Sequence, residues 1–305
     1  MFAPEYTITS EILKNISTIE YCRALIENTP ILPHWQRQLQ KEALVKTTQA
    51  VLIGEGFNFT EEVIKKEIDG FNPKGSSEVK NFITALSRVN ELSHADELDD
   101  SEIKEMHKIL STGRYRSSEE ILAEIVKLFD WYNSLDARDT HAILVAGIFH
   151  AQIERIKPFD NFNSAIAVLF ARICLKLGGY SLNNFLAFED EHSPALESVS
   201  DDNFTEWLEY YTDTIARKIS NLKEKVLLLA RDTKIAKATG RIDLTPRQGK
   251  IVEYLQDYGI LQNKDFTRIF PGVSEDSVLR DLKVLIDKGI VAKRGSTKSS
   301  RYELK

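Results

Sequence analysis

The feature that most constrains this chain is the period of its apolar residues. Over residues 1–235 they recur at helical spacing, and extended alternation of the kind a half-buried strand needs is hard to find. Leu39, Ala43, Leu44 and Thr47 run on into Val51 and Leu52. Ile121, Ile125, Leu128, Phe129 and Tyr132 form a second stripe. Ile143, Val145, Phe149, Ile153 and Ile156 form a third, and Ile166, Leu169, Phe170, Ile173 and Leu177 a fourth. Stripes of this kind are stable when buried against one another, so the segment reads as one all-α domain. At 305 residues the chain has room for that domain, with a sizeable core, and a second small one.

Helix ends can be read locally. Thr60 precedes Glu61 and Glu62, and Ser117-Ser118 precedes Glu119 and Glu120. Each is an N-cap followed by acids that favour the helix dipole. Gly178-Gly179 ends the helix through Leu177, since glycine accepts the left-handed turn at a helix end. A long helix from about Phe204 to Asp232 closes the domain at residue 235, and residues 236–243 read as a polar linker. Residues 244–305 follow a different pattern. A helix opens at Pro246, a short one capped by Asn263 holds Phe266, Ile269 and Phe270, and a third capped by Ser274 holds Val278, Leu282 and Leu285. Two short strands, 290–294 and 301–304, flank a Gly-Ser-Thr-rich tip. This order resembles a winged helix-turn-helix. The expected fold is mainly α: an all-helical domain followed by a small α+β domain.

Composition excludes some classes and leaves others open. No run approaches the roughly 20 apolar residues of a membrane span, and the N-terminus lacks a secretory layout. Cys22 and Cys174, far apart in helical patterns, read as buried free thiols of a reducing cytoplasm. His34, His94, His107, His141 and His192 show no metal-ligand spacing and read as structural or exposed, and His150 as a satisfied helix histidine. Trp35, Trp131 and Trp207 read as core. The net charge of −6 is unevenly spread: residues 244–305 carry 12 Lys and Arg against 8 Asp and Glu, the remainder 28 against 38. A basic tail on an acidic body hints at an anionic partner for the tail.

Residues 149–180, FHAQIERIKPFDNFNSAIAVLFARICLKLGGY, resemble the central helix-loop-helix of the Fic (fido) family. In that family the loop reads His-Pro-Phe-x-acid-Gly-Asn-Gly-Arg-x-x-Arg and opens the next helix. His150 and the Trp207-containing segment match residues often found there. Glu42-Ala43 with Glu55-Gly56 and Thr60 has the spacing of the family's autoinhibitory region, which makes Glu55 the autoinhibitory candidate. Glu78 to Asn81, His107 to Leu110 and Gly113 to Arg116 follow in family order. The resemblance implies transfer of AMP from ATP, with Mg²⁺, to a protein hydroxyl. The motif histidine acts as general base, the acid holds Mg²⁺, and the glycines, helix N-terminus and arginines hold phosphate.

This sequence departs from that motif at most of its chemical positions. Pro158, Phe159 and Asn163 are kept, but Lys157 stands for the histidine and Asn161 for the acid. Phe162 and Ser164 replace the glycines, and Ala165 and Val168 the arginines. A lysine serving as base at pH 7 needs its pKa depressed by about 3, roughly 4 kcal/mol, whereas a protonated one pairs directly with phosphate. Lys157 is the catalytic candidate, and Lys157, Asp160, Asn161, Asn163 and Ser164 are the nucleotide- or phosphate-binding candidates. Asp160 is the metal candidate if the loop shifts by one residue. The competing reading makes this a packed loop, stiffened by Pro158, anchored by Phe159 and closed by Asn163 as cap of the next helix. Glu55 lacks the motif arginine that the family's glutamate pairs with, and Val51 stands where Ser or Thr is usual. Gly113 to Arg116 leads so quickly into the next helix that the target-binding hairpin of active members reads as truncated.

In the C-terminal segment Arg280, Lys283, Lys293, Arg294, Lys298 and Arg301 are the candidate DNA contacts, although Glu275 and Asp276 oppose phosphate at the start of the third helix. Three readings stand at this stage: a DNA-binding or nucleotide-sensing regulator with an eroded transferase motif, an active transferase of altered chemistry, and a protein-interaction module. A homodimer would suit a palindromic DNA site.

Overall fold

The computed structural model describes residues 2–70, 76–92, 98–116, 118–188, 194–199, 203–238, 244–295 and 300–304. Among them the chain forms α1 (Ser10–Glu27), α2 (Pro33–Gly54), α3 (Glu61–Ile68), α4 (Ser77–Glu91), α5 (Asp100–Leu110), α6 (Glu119–Tyr132) and α7 (Leu135–Asp139). There follow α8 (Ala142–Ile156), α9 (Asn163–Leu177), α10 (Pro194–Glu197), α11 (Thr205–Ala238) and α12 (Pro246–Tyr258). Strand β1 (Leu261–Gln262), α13 (Phe266–Ile269), α14 (Glu275–Asp287), β2 (Val291–Arg294) and β3 (Arg301–Leu304) complete it. The fold is mainly α, as the periodicity predicts. It divides into two compact units, residues 1–28 with 40–225, and residues 29–39 with 226–305.

The larger unit is built around α8 and α9. Nearly every turn of both is buried on all sides, from Ile143 to Glu154 in α8 and from Ala165 to Leu175 in α9, which is the pattern of helices at the centre of a core. Phe149 stacks on Phe170 with ring centroids 5.5 Å apart, and Phe129 of α6 packs edge-on against both. Helix α11 lies close against α8. A Cβ added to Gly147 would come within 2.9 Å of Leu208 and Tyr211 side-chain carbons, and Trp207 Nε1 donates to the Gly147 carbonyl at 2.7 Å. His150, fully buried, stacks on Trp207 at 5.4 Å. Trp131 and Trp207 are core residues, whereas Trp35 is half-buried.

Thr60 and Ser118 cap α3 and α6, each accepting from the backbone N–H three residues on. At the end of α9 the left-handed residue is Gly179, φ +84°, while Gly178 stays at φ −74°. Helix α11 continues to Ala238, through residues 236–238 of the segment read as linker. Lys234 to Ala238 contains good helix formers and no breaker.

In the smaller unit Thr245 and Gln248 form a reciprocal capping box at the start of α12, with Pro246 in the first turn. The short helical segment before α13 is capped by Gln262 rather than by Asn263, because the Gln262 N–H takes the Asp265 carboxylate at 3.0 Å. Two residues ahead of it, Leu261–Gln262, form an edge strand that the sequence reading did not contain. Its length, two residues, is too short for any alternation to show. The sheet order is β1-β3-β2, all antiparallel, with Leu261 opposite Tyr302 and Lys293 opposite Tyr302 on the other side. Val291, Tyr302 and Leu261 face a core with Leu255, Phe266, Val278 and Leu285.

Candidate functional site

The loop between α8 and α9 is fixed by its own backbone first. Lys157 ends α8 in the left-handed region, φ 47°, ψ 65°, with its N–H on the Ile153 carbonyl at 2.9 Å. Phe162 opens α9 in the same region, φ 59°, ψ 25°. Side chains with a Cβ enter that region at a cost of about 1–2 kcal/mol. The second of these positions therefore keeps the backbone a glycine adopts readily while carrying a phenyl ring. That ring is buried and stacks on Phe57 at 5.9 Å.

Asn163 does not cap α9 with its side chain. Its amide reaches back across the loop, Oδ1 accepting from the Phe159 N–H at 3.0 Å and Nδ2 donating to the Phe159 carbonyl at 2.9 Å. The α9 N-terminus is satisfied by Glu55 instead. One Glu55 carboxylate oxygen accepts from the Phe162 N–H at 2.9 Å, the other from the Ala165 N–H at 3.3 Å. A helix N-terminus favours negative charge, and here the chain supplies it from the residue after α2.

A second set of contacts comes from the segment after α5. Tyr115 and Phe159 form an antiparallel bridge, with the Arg116 N–H on the Pro158 carbonyl at 2.8 Å and the Asp160 N–H on the Arg114 carbonyl at 3.1 Å. The residues read as a truncated hairpin therefore pair with the motif loop itself. Arg114 and Arg116 stand 3.7 and 3.6 Å from the two Asp160 carboxylate oxygens. Phe159, 1% exposed, lies flat on the His107 ring with centroids 3.8 Å apart. His107 Nε2 faces the Asn161 carbonyl at 3.2 Å and its Oδ1 at 3.3 Å, and Ser111 Oγ donates to the same Oδ1 at 3.0 Å. Two acceptors facing Nε2 put the ring proton there. Burial pushes the His107 pKa below its ordinary value, against the opposing pull of Asn161 and Asp160.

Lys157, Asp160, Asn161, Asn163, Ser164 and Glu55 are thus brought into one loop region. Lys157 is exposed, Ser164 is half-buried in the first turn of α9, and Asn161 is held as described. Ala165 and Val168, at 0% and 3% exposure, are core residues where the family's arginines would stand. The donor set does not fit Mg²⁺: Asp160, its carboxylate candidate, is flanked by two guanidiniums, and Asn161 offers an amide already engaged. Among the described residues no group of three or more His, Cys, Asp or Glu is placed to hold a metal ion. Sequence reasoning gave no site role to His107, Ser111, Arg114 or Arg116. The order of Gly113 to Arg116 behind His107 was the available signal.

In the smaller unit Arg280 and Lys283 are exposed on α14, Lys293 and Arg294 on β2, and Arg301 on β3; Lys298 lies outside the described residues. Arg294 is directly opposite Arg301 across the hairpin. Its Nε lies 3.8 Å from Glu303. Glu275 is tied to Asn263 Nδ2 at 2.7 Å, and Arg280 Nε donates to the Asp276 carbonyl at 3.4 Å. No helix of the described residues is long and apolar enough to cross a membrane.

No family model matches the sequence, and no curated protein matches it either. Solved structures do. A Fic family protein from Desulfovibrio desulfuricans G20 superposes with TM-score 0.62 at 18% identity, over 100% of this chain and 98% of that one. Fic-1 from C. elegans gives 0.59 at 17% identity, over 70% of this chain and 72% of that one. A Fic domain containing signaling protein from Bacteroides thetaiotaomicron VPI-5482 gives 0.57 at 17%, over 73% of this chain and 98% of that one. With α8, the left-handed loop and α9 placed as described, this chain carries the fold of the Fic proteins.

Proposed function

We propose that this chain is a DNA-contacting regulatory protein whose Fic-type loop no longer transfers nucleotide. The observation that carries the reading is Glu55. Its carboxylate occupies two N–H groups of the α9 N-terminus, where the family's chemistry calls for phosphate. The neighbouring positions agree. The phenyl ring of Phe162 fills a glycine position, Ala165 and Val168 are sealed in the core, and Asp160 is paired with arginines. A loop whose polar groups are spent on the protein serves as a strut between α8, α9 and the segment after α5.

Residues 244–305 then carry the function, as a winged helix. Exposed Lys293, Arg294 and Arg301 on the hairpin meet the requirement for phosphate contact, and Arg280 and Lys283 add cations from α14. Like charges directly opposite in a sheet, as at Arg294 and Arg301, are unfavourable, and beyond the relief from Glu303, 3.8 Å from Arg294, a bound phosphate would ease them further. The free buried thiols Cys22 and Cys174 suit a reducing compartment, and we place the protein in the cytoplasm.

The test is calorimetric titration of the full chain with ATP and Mg²⁺, paired with label transfer from α-labelled ATP. No saturable heat up to millimolar ATP and no labelled protein are expected. Micromolar binding, or labelling abolished by Lys157→Ala, would overturn the silent-loop reading and make the protein a transferase of altered chemistry.

A further inference from the structure

Away from the motif loop, the larger unit carries a half-open pocket of about 350 Å³ bounded by the C-terminal end of α6, by α7, by the start of α8 and by the end of α9. This is within the size range of small-molecule sites, and equals about a dozen water volumes. Its walls are held in place by close helix contact, since a Cβ on Gly178 would sit 2.3 Å from the Ala142 Cβ.

The polar groups around the cavity define what it can take. Both ends of the Asn133 amide are used on Leu98, accepting from its N–H at 3.3 Å and donating to its carbonyl at 2.8 Å. The Thr140 hydroxyl donates to the Asp136 carbonyl at 2.8 Å. Burial pushes the Tyr132 and Cys174 pKa values up, so that wall is uncharged. The remaining polar group is Arg138, exposed on α7 at the rim. Among the described residues its guanidinium makes no hydrogen bond, and no ion pair within 4.0 Å. The other face of the cavity is apolar, from Leu98, Val145 and Leu177.

We infer that this cavity is a binding site for a small amphiphilic anion, with its carboxylate or phosphate head on Arg138 and its apolar body against Val145 and Leu177. A planar guanidinium whose donors have no partner among the described residues matches either head group in bidentate fashion. A pocket of about 350 Å³ lies within the range of small-molecule sites, so short octyl compounds serve as probes of it.

The experiment is isothermal titration of the full chain with octanoate, octyl phosphate and octanol. Saturable binding of at least one anion is expected, with octanol weaker by about tenfold or more, as loss of a charge-assisted bond implies. The preferred anion identifies the head group. Arg138→Ala, a change at an exposed residue, should weaken the anion by a similar factor. Leu177→Trp, at a half-buried position on the rim, should block it while the thermal midpoint is kept. Binding of neither anion, or binding indifferent to Arg138→Ala, would overturn the proposal. Glu55 and Lys157 lie outside the cavity, so their variants should bind the same probe unchanged.

Discussion

His107 illustrates how one side chain ties the motif loop to solution conditions. Its ordinary pKa is 6.5, and burial lowers it in the folded protein. As pH falls through about 6.5 the unfolded chain takes up a proton that the native imidazole refuses until lower pH. Across that interval the unfolded state binds more protons, so native stability declines as pH falls, then levels off below the native pKa. Burial pushes His141 in the same direction, so the two histidines add. Urea midpoints measured from pH 7 to pH 5 should therefore fall, and His107→Gln should make the fall shallower. An unchanged slope would remove His107 from the account. Lys157 supports a different prediction. Exposed and left-handed at φ 47°, it carries steric strain that glycine lacks. Lys157→Gly should stabilise the protein by about 0.5–1 kcal/mol in urea denaturation, after the entropy of an unfolded glycine is set against the relief.

Between elements, α8 and α11 meet at a close junction. Gly147 has no room for a Cβ: three side-chain carbons of Leu208 and Tyr211 would lie 2.9–3.3 Å away. The same residue's carbonyl holds Trp207, on which buried His150 stacks. Gly147→Ala should destabilise the protein by about 1–3 kcal/mol, the usual cost of overpacking, and a thermal midpoint within experimental error of wild type would show that α11 shifts freely. This junction also marks the limit of what the sequence discloses. The stripes through α6, α8 and α9 are legible because apolar period is local information, and so are the caps Thr60 and Ser118. The loop's identity is legible from Pro158, Phe159 and Asn163. Its other partners are not: His107 and Ser111 reach Asn161 across 54 and 50 residues, whereas Glu55, which reaches Phe162 across 107, is brought to the loop only by the family resemblance. Such pairings depend on which elements pack together, and no local spacing encodes that. Asn163 shows the same limit at short range. An Asn ahead of a helix reads as a cap, yet here the cap position belongs to Phe162 and the amide closes the loop on Phe159.

At the scale of the whole molecule, the proposed DNA contact turns on which surface would meet an anionic polymer. The chain is acidic overall, at −6, so any affinity for DNA has to come from local charge, and its signature is dependence on salt. Each phosphate neutralised contributes about −0.9 to the slope of log K against log salt on duplex DNA. Lys293 and Arg294 are two such cations on β2, both exposed, in the segment with 12 basic against 8 acidic side chains. Replacing both with alanine should weaken binding to a random-sequence duplex and flatten the slope by about 2, as read by fluorescence anisotropy from 50 to 200 mM salt. A two-fold dimer on a palindromic site would double that change to about 4. Arg114 and Arg116 supply the control, since they are also exposed arginines but lie in the other unit, in the segment paired with the motif loop. Their double alanine variant should leave the slope unchanged. If it flattens the slope while the hairpin variant does not, the anionic partner binds the loop and the hairpin is not its surface.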